Sequence, residues 1–281
     1  MASDSDDLQA WVGRRQSSDD VIAATPVRAL AATLDHTAAP VQPGDLLPPL
    51  WHWLYFLPAP AASQLDVDGH PRRGDFLPPV PLPRRMWAAS RVDFAADLHV
   101  GDAVQRVSTI ESVQHKQGRS GELVFVTVLH RVSRDGQLAL EERQRLVYRD
   151  ARSAAAPPPQ AAPAAAQWMR TLEPDPVLLF RYSALTFNSH RIHYDRDYAT
   201  AVEGYPGLVV QGPLTATLLL DLLQRERPGA ALASFEFRAV RPLFAGSGMS
   251  LQGRMDGRAV QLWALDADGA LAMAASAELR D

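Results

Sequence analysis

The pattern of hydrophobic and polar positions repeats itself once along the chain. Residues Ala103–Val113, Leu123–Val132 and Leu138–Tyr148 form three strand-like runs, separated by turns at Gln117–Gly121 and Asp135-Gly136. The same pattern returns in Phe235–Arg238, Met249–Met255, Ala259–Leu265 and Leu271–Leu279, with turns at Asp256-Gly257 and Asp268-Gly269. Period-two alternation broken by Asp-Gly predicts antiparallel meanders. Each meander is entered through a similar step, Leu98-His99-Val100-Gly101 and Leu243-Phe244-Ala245-Gly246, and each closes on Arg-Asp, at 149–150 and 280–281. A duplicated β unit accounts for both features.

Ahead of the second meander, Gly212–Arg225 carries leucine on nearly every side, with Pro213 near its start and Pro228-Gly229 beyond its end. Those signals predict a helix that the sheet wraps rather than one laid on a surface. Asp19–Thr33 is the expected equivalent in the first half, although Pro26 interrupts it. One buried helix followed by a curling antiparallel sheet is the hotdog arrangement. The expected class is therefore α+β, a double hotdog of two antiparallel sheets, each around a central helix. Ala151–Gln167, almost entirely alanine and proline, reads as a linker between a first part, 1–150, and a second, 168–281. Pro43–Arg85 reads as an irregular, packed excursion in which Trp51 and Trp53 serve packing, and Asp197–Ala201 as a short helix.

Composition narrows the function by exclusion. The net charge of −4 argues against a nucleic-acid partner, and the absence of cysteine removes disulfides, thiolate metal sites and a cysteine nucleophile. No apolar run has membrane-span length, and the acidic start Met1–Asp7 lacks the features of a signal peptide, so a cytoplasmic protein is expected.

The densest polar segment is Tyr182–Asp195, which holds His190 and His193 with Arg191 between them and Asp195 just after. A zinc site built on His190, His193 and Asp195 would lack a further nearby histidine or cysteine, so no metal is expected. A second reading has the histidines merely fixing a loop. The third is general acid–base catalysis, to which histidine is suited because its ordinary pKa lies near neutrality.

This segment resembles the MaoC-like, R-specific enoyl-CoA hydratase family, whose motif has the form Ser-Gly-Asp-x-Asn-Pro-Ile-His-x-Asp. Thr186–Asp195 aligns with it, placing His193 on the catalytic histidine, Phe187 on the glycine, Asn188 on the catalytic aspartate and His190 on the asparagine. Gln211-Gly212 is similar to the family's histidine-glycine step, where a backbone N–H helps hold the thioester carbonyl. Thr-Phe-Asn-x-His-Arg-Ile-His-Tyr-Asp, together with Arg73–Trp87 and Gly118–Val126, resembles a two-domain branch. That branch contains mesaconyl-C4-CoA (3-methylfumaryl-CoA) and itaconyl-CoA hydratases, with mitochondrial hydroxyacyl-thioester dehydratases beside them.

The resemblance implies reversible hydration of the 2,3-double bond of an acyl-CoA, most directly a branched C5-dicarboxylyl-CoA giving citramalyl-CoA. No cofactor is implied beyond the CoA of the substrate, and a homodimer is compatible with it. It further implies His193, Asn188, His190 and Gly212 as catalytic, with Gln211, Tyr194 and Asp195 beside them as substrate-binding. Arg84 and Arg85, next to Trp87, read either as a solvated pair or as contacts to a substrate carboxylate or CoA phosphate, and Arg191 could serve the carboxylate equally well. An amide at Asn188 cannot exchange a proton as a carboxylate does. His193 would then work alone or with His190 or Asp195, while Asn188 orients the water. Two rivals remain: a hotdog thioesterase, which would need a carboxylate near the helix start where Asp221 lies too deep, and a non-catalytic acyl-thioester binder.

Overall fold

The computed structural model describes residues 4–36, 41–118, 121–150 and 158–280. The chain start Met1–Ser3, turn residues Arg119 and Ser120, linker residues Ala151–Pro157 and the final Asp281 lie outside the described residues.

In chain order the elements are α1 (Asp4–Gln9), β1 (Arg15–Val21), α2 (Ala24–Thr33), β2 (Arg84–Phe94), β3 (Ala103–Gly118), β4 (Gly121–Arg134) and β5 (Gln137–Arg149). There follow β6 (Trp168–Leu172), α3 (Pro176–Leu185), α4 (Gly212–Glu226), β7 (Leu232–Ala239), β8 (Met249–Asp256), β9 (Ala259–Leu265) and β10 (Leu271–Leu279). The strands form one sheet in the order β1-β3-β4-β5-β2-β7-β10-β9-β8-β6. Read outward from its middle, that order is the same five-strand array twice. The two arrays meet where β2 pairs antiparallel with β7, from Ala89 opposite Arg238 to Asp93 opposite Ser234. The two expected sheets are thus continuous, edge to edge.

The helices depart from expectation in an informative way. Asp19–Val21 belongs to strand β1, and the first-half helix begins only at Ala24. Pro26 then falls in its first turn, where a missing N–H costs nothing. By position α2 is the counterpart of α3, not of α4, since each comes directly after the outermost strand of its half. The counterpart of α4 is found by pairing. Val210 N–H donates to the Leu243 carbonyl just before α4, and Leu47 N–H donates to the Leu98 carbonyl at the matching place in the first half. Beyond Leu47 the chain continues as Pro48-Pro49 and a single 3-10 turn, Trp51–Leu54. Two consecutive prolines remove the N–H groups that Gln211-Gly212 keeps, and the long helix exists only in the second half.

In α4 every residue from Leu214 to Leu223 is buried. Each of its leucines contributes roughly 1.5–3 kcal/mol relative to an exposed position. The hydroxyls of Thr215 and Thr217 bond back to the carbonyls of Gln211 and Pro213, so the helix buries them satisfied. One core cluster joins α4 (Leu214, Leu219) to the first half (Ile22, Leu30, Val92). The expected helix at Asp197–Ala201 is a single π-helical turn, Tyr198–Val202. Among the described residues no helix is long and apolar enough to cross a membrane.

Asp221 is the buried charge of α4, and it ties the halves together. Its carboxylate meets His36 Nε2 at 2.5 Å, Arg170 Nη1 at 2.6 Å and Arg225 Nε at 2.8 Å. Arg225 also donates to the Leu34 carbonyl at 2.8 Å. Removing one partner from a buried ionic cluster costs about 3–5 kcal/mol. Asp221→Ala is expected to lower the free energy of unfolding by about that amount, measured by equilibrium denaturation. A change under about 1 kcal/mol would show that the cluster is solvated like a surface pair.

Candidate active site

Asp175 caps α3 by accepting the Leu178 N–H at 2.7 Å, and Pro176 fills the first helical position. The helix ends at Leu185, and the chain reverses through Phe187, whose φ is +48°. This is the motif position where the resembling family has glycine, and left-handed backbone is the reason glycine suits it. Asn188 then fixes the turn: its Oδ1 accepts the His190 N–H at 3.1 Å, and its own N–H donates to Ser183. With its carbonyl so engaged, Asn188 shapes the loop.

His193 lies on the 3-10 turn after that loop, buried, with Nδ1 2.7 Å from the Val209 carbonyl. A carbonyl can only accept, so Nδ1 carries the proton and Nε2 is left as an acceptor. Burial holds the imidazole neutral, pushing its pKa down to about 4 although the Val209 bond opposes the shift. Val209 N–H in turn donates to Ile192 at 2.9 Å. Three residues after Val209 the chain enters α4 at Gly212, whose N–H belongs to the first turn and has no acceptor within the helix. Gln211 is 1% exposed; its Nε2 donates to the Leu179 carbonyl and Ser183 Oγ, while its Oε1 is buried without a partner. The Trp87 carbonyl stands 3.7 Å from where a Cβ on Gly212 would be, which brings β2 against the start of α4.

The excursion before β2 completes this side of the site. Arg191 N–H donates to the Asp68 carbonyl at 2.9 Å, and Ser189 Oγ to the Gly69 carbonyl at 2.5 Å. Gly69 has φ +87°, and a Cβ there would fall 1.9 Å from the Ser189 oxygen, so only glycine allows the approach. The next residue, His70, stacks on His190 with ring centroids 4.0 Å apart, and His190 meets His193 edge-on at 5.3 Å. Asp68 Oδ2 holds His70 Nδ1 at 2.9 Å. Burial and the Arg85 charge push His70 down to about 4 against the pull of Asp68. His190 is also pushed well down, by burial and by its two imidazole neighbours.

These groups line a cavity of about 1750 Å³ that continues over one face of the first-half sheet. That arm is polar: Arg106 and Ser108 of β3, His130 of β4, and Glu142 and Gln144 of β5 face it. Burial alone would raise Glu142, but its bonds to His52 (3.2 Å) and Ser90 (2.7 Å) and the His52 charge hold it at about 2. Trp53 lines the cavity and donates to Glu142 at 3.0 Å, so it does more than pack, whereas Trp51 is a core residue.

Of the residues singled out in the sequence, His193, Asn188, His190, Gly212, Gln211, Tyr194, Trp87 and Arg85 line the cavity. Three do not, because their charges are spent elsewhere. Arg191 pairs with Asp195 at 2.7 Å, donates to the Val67 carbonyl and stacks on Tyr198. Asp195 is occupied by that pair and by the Tyr198 N–H. Arg84 is held by Glu203, side chain and carbonyl. Asp195 is thus unavailable as a ligand beside His190 and His193, or as a proton partner for His193. Asp68, His70 and His190 instead bring ligand atoms within 4.8 Å of one another, a set compatible with a metal ion. The Asp68–His70 bond and the nearby Arg85 cation oppose a dication there. Asp68 and His70 adjoin the site at positions that sequence reasoning missed, although they lie in Asp-Gly-His just ahead of the Arg73–Trp87 stretch. Asp221, the carboxylate of the thioesterase rival, does not reach the cavity.

The sequence model of the family described as hydroxyacyl-thioester dehydratase type 2 matches residues 50–245. The chain is 46% identical over 275 residues, 97% of its length and 98% of the relative's, to mesaconyl-C(4)-CoA hydratase of Chloroflexus aurantiacus. A MaoC-like dehydratase from Phytophthora capsici superposes with a TM-score of 0.67 at 13% identity, covering 99% of each chain. A conserved Mycobacterium tuberculosis protein with a double hotdog fold gives a TM-score of 0.59 at 14% identity, covering 98% of each chain. The chain has the double-hotdog fold and is an enzyme of the hydratase and dehydratase type, a member of the hydroxyacyl-thioester dehydratase type 2 family.

Proposed function

We propose that the enzyme hydrates the 2,3-double bond of a branched C5-dicarboxylyl-CoA, with mesaconyl-C4-CoA as the first candidate and citramalyl-CoA as product. The observation that carries the chemistry is the free, neutral Nε2 of His193 in a cavity that also contains the start of α4. His193 Nε2 takes a proton from water as the oxygen adds to C3. The electron pair of the double bond moves toward the thioester oxygen, where the Gly212 N–H and the helix dipole meet the developing charge. The imidazolium then returns a proton to C2. Run backward, the same steps dehydrate a 3-hydroxyacyl thioester. The buried, unpaired Oε1 of Gln211 would accept the second O–H of the water.

The choice of acyl group draws support from the relative and from the cavity. The cavity beside the histidines carries Arg85, a cation that an acyl group with a free carboxylate would pair and a plain fatty chain would not. Dehydration of a 3-hydroxyacyl thioester of fatty-acid type is the second reading; the family description names a hydroxyacyl thioester. Turnover that rises with chain length from C4 to C10 would favour it over ours, and itaconyl-CoA belongs in the same panel.

His193→Ala is expected to lower turnover by at least about a hundredfold, the scale of general acid–base catalysis, with the unfolding midpoint retained. Activity like that of the wild type would remove His193 from the mechanism.

Protonated His193 cannot accept, so activity falls as pH drops through the imidazole pKa. The acid limb of kcat/KM is expected to centre near pH 4, where burial places His193. A limb at about 6.5, the ordinary histidine value, would contradict a buried neutral base.

Proton transfer by imidazole needs no metal, so dialysis against a strong chelator is expected to leave turnover unchanged. Loss of activity restored by zinc would instead put an ion at Asp68, His70 and His190.

A further inference from the structure

We infer that Arg85 is the group that reads the free carboxylate of the acyl chain. This rests on the dicarboxylyl reading above and adds the residue that would select for it.

The arginines around the cavity sort by what they already hold. Arg84 is paired with Glu203 and Arg191 with Asp195. Arg73 is spent on the carbonyls of Val80, Leu82 and Pro83. Arg149 donates to Tyr205 Oη, and Arg106 to the Phe56 carbonyl while feeling the charges of Glu142 and Asp20. Arg241 reaches Asp266 at 4.0 Å. The side chains of Arg72 and Arg85 line the same cavity and make no hydrogen bond or ion pair among the described residues, but Arg72 is exposed to solvent, which leaves the half-buried Arg85. Its charge is felt by both His70 and His190, the imidazoles next to His193. A half-buried guanidinium with no anion beside neutral rings is an incomplete arrangement, and an anionic oxygen group would complete it.

Position favours the substrate carboxylate over a CoA phosphate. Arg85 lies two residues before Trp87 on β2, a spacing of about 7 Å along a strand, and the Trp87 carbonyl adjoins Gly212. In a 3-methylfumaryl thioester the carboxylate is bonded to C3, the carbon that receives the water. It therefore lies near His193 whenever the thioester oxygen is at Gly212. The pyrophosphate is removed from that point by the whole pantetheine arm. A cation beside the His70–His190 pair is at the acyl end of the cavity.

The test compares mesaconyl-C4-CoA with crotonyl-CoA, which lacks the carboxylate, in the wild type, Arg85→Met and Arg85→Lys. Loss of a charge-assisted two-point contact is expected to cut kcat/KM for mesaconyl-C4-CoA by about a hundredfold more than for crotonyl-CoA. Lysine should restore only part of this. Equal proportional losses on both thioesters would overturn the assignment. The same pair of acyl groups on N-acetylcysteamine, which carries no phosphate, separates the two anions. A defect that persists there belongs to the carboxylate, and one that vanishes there belongs to CoA phosphate and overturns it. If the wild type hydrates neither thioester, the proposed activity fails independently. Calorimetric titration with mesaconyl-C4-CoA and crotonyl-CoA then reads Arg85 directly, and selective weakening of the former in Arg85→Met still supports it, while its absence refutes it.

Discussion

The hydrogen bond from His193 Nδ1 to the Val209 carbonyl is the contact on which the site depends. It fixes the tautomer, turns Nε2 into the acceptor, and binds the catalytic loop to the segment that becomes α4 three residues later. The proposed base, His193, and the proposed thioester-binding N–H, that of Gly212, are therefore set by one stretch of backbone, and their separation cannot drift independently. Burial of α4 from Leu214 to Leu223 anchors that stretch from behind. Packing energy accumulated over several turns of helix is what keeps two polar groups at working distance.

Duplication and later specialisation explain the rest of the architecture. Both halves retain the strand order and the pairing step before the central helix, at Leu47–Leu98 and Val210–Leu243. Only the second half kept the helix. In the first, Pro48-Pro49 ends the possibility of N–H donors at that place, and one face of the sheet is given over to cavity. The first half returns to the chemistry by another route. Its excursion lays Gly69 on the Ser189 carbonyl closely enough that no side chain could intervene, and so delivers His70 onto His190. The loop that carries His190 and His193 is thus held on one side by its own half and on the other by its neighbour.

Legibility in the sequence tracks the range over which its signals act. Strand runs and Asp-Gly turns are local, so both meanders were legible, as was α4 from its leucines and flanking prolines. The motif around His193 was legible for the same reason, its spacing being set by a single loop. Long-range assignments were not. Whether Asp19–Thr33 matches α3 or α4 depends on which carbonyl Leu47 finds, and nothing near Pro26 encodes that. Arg84, Arg85 and Arg191 look equivalent as residues. Only the fold gives two of them a carboxylate and leaves the third without one. Asp68 and His70 were invisible because their partner lies about 120 residues away, through Gly69, whose necessity is a matter of tertiary approach.

The electrostatics of the site obey the same division. Three imidazoles in contact could not all carry charge, and burial settles the matter by keeping His70 and His193 neutral near pH 7. A neutral base is what activation of water requires. The cation at Arg85 reinforces the neutrality of His70 and His190 beside it, and it does so without being cancelled by a protein carboxylate. Asp68, the carboxylate nearest these rings, is already turned into His70. The site therefore presents one guanidinium without a carboxylate partner beside imidazoles held neutral. In the proposed reaction an anionic acyl group would pair with the guanidinium and leave the neutral imidazole of His193 free to take a proton.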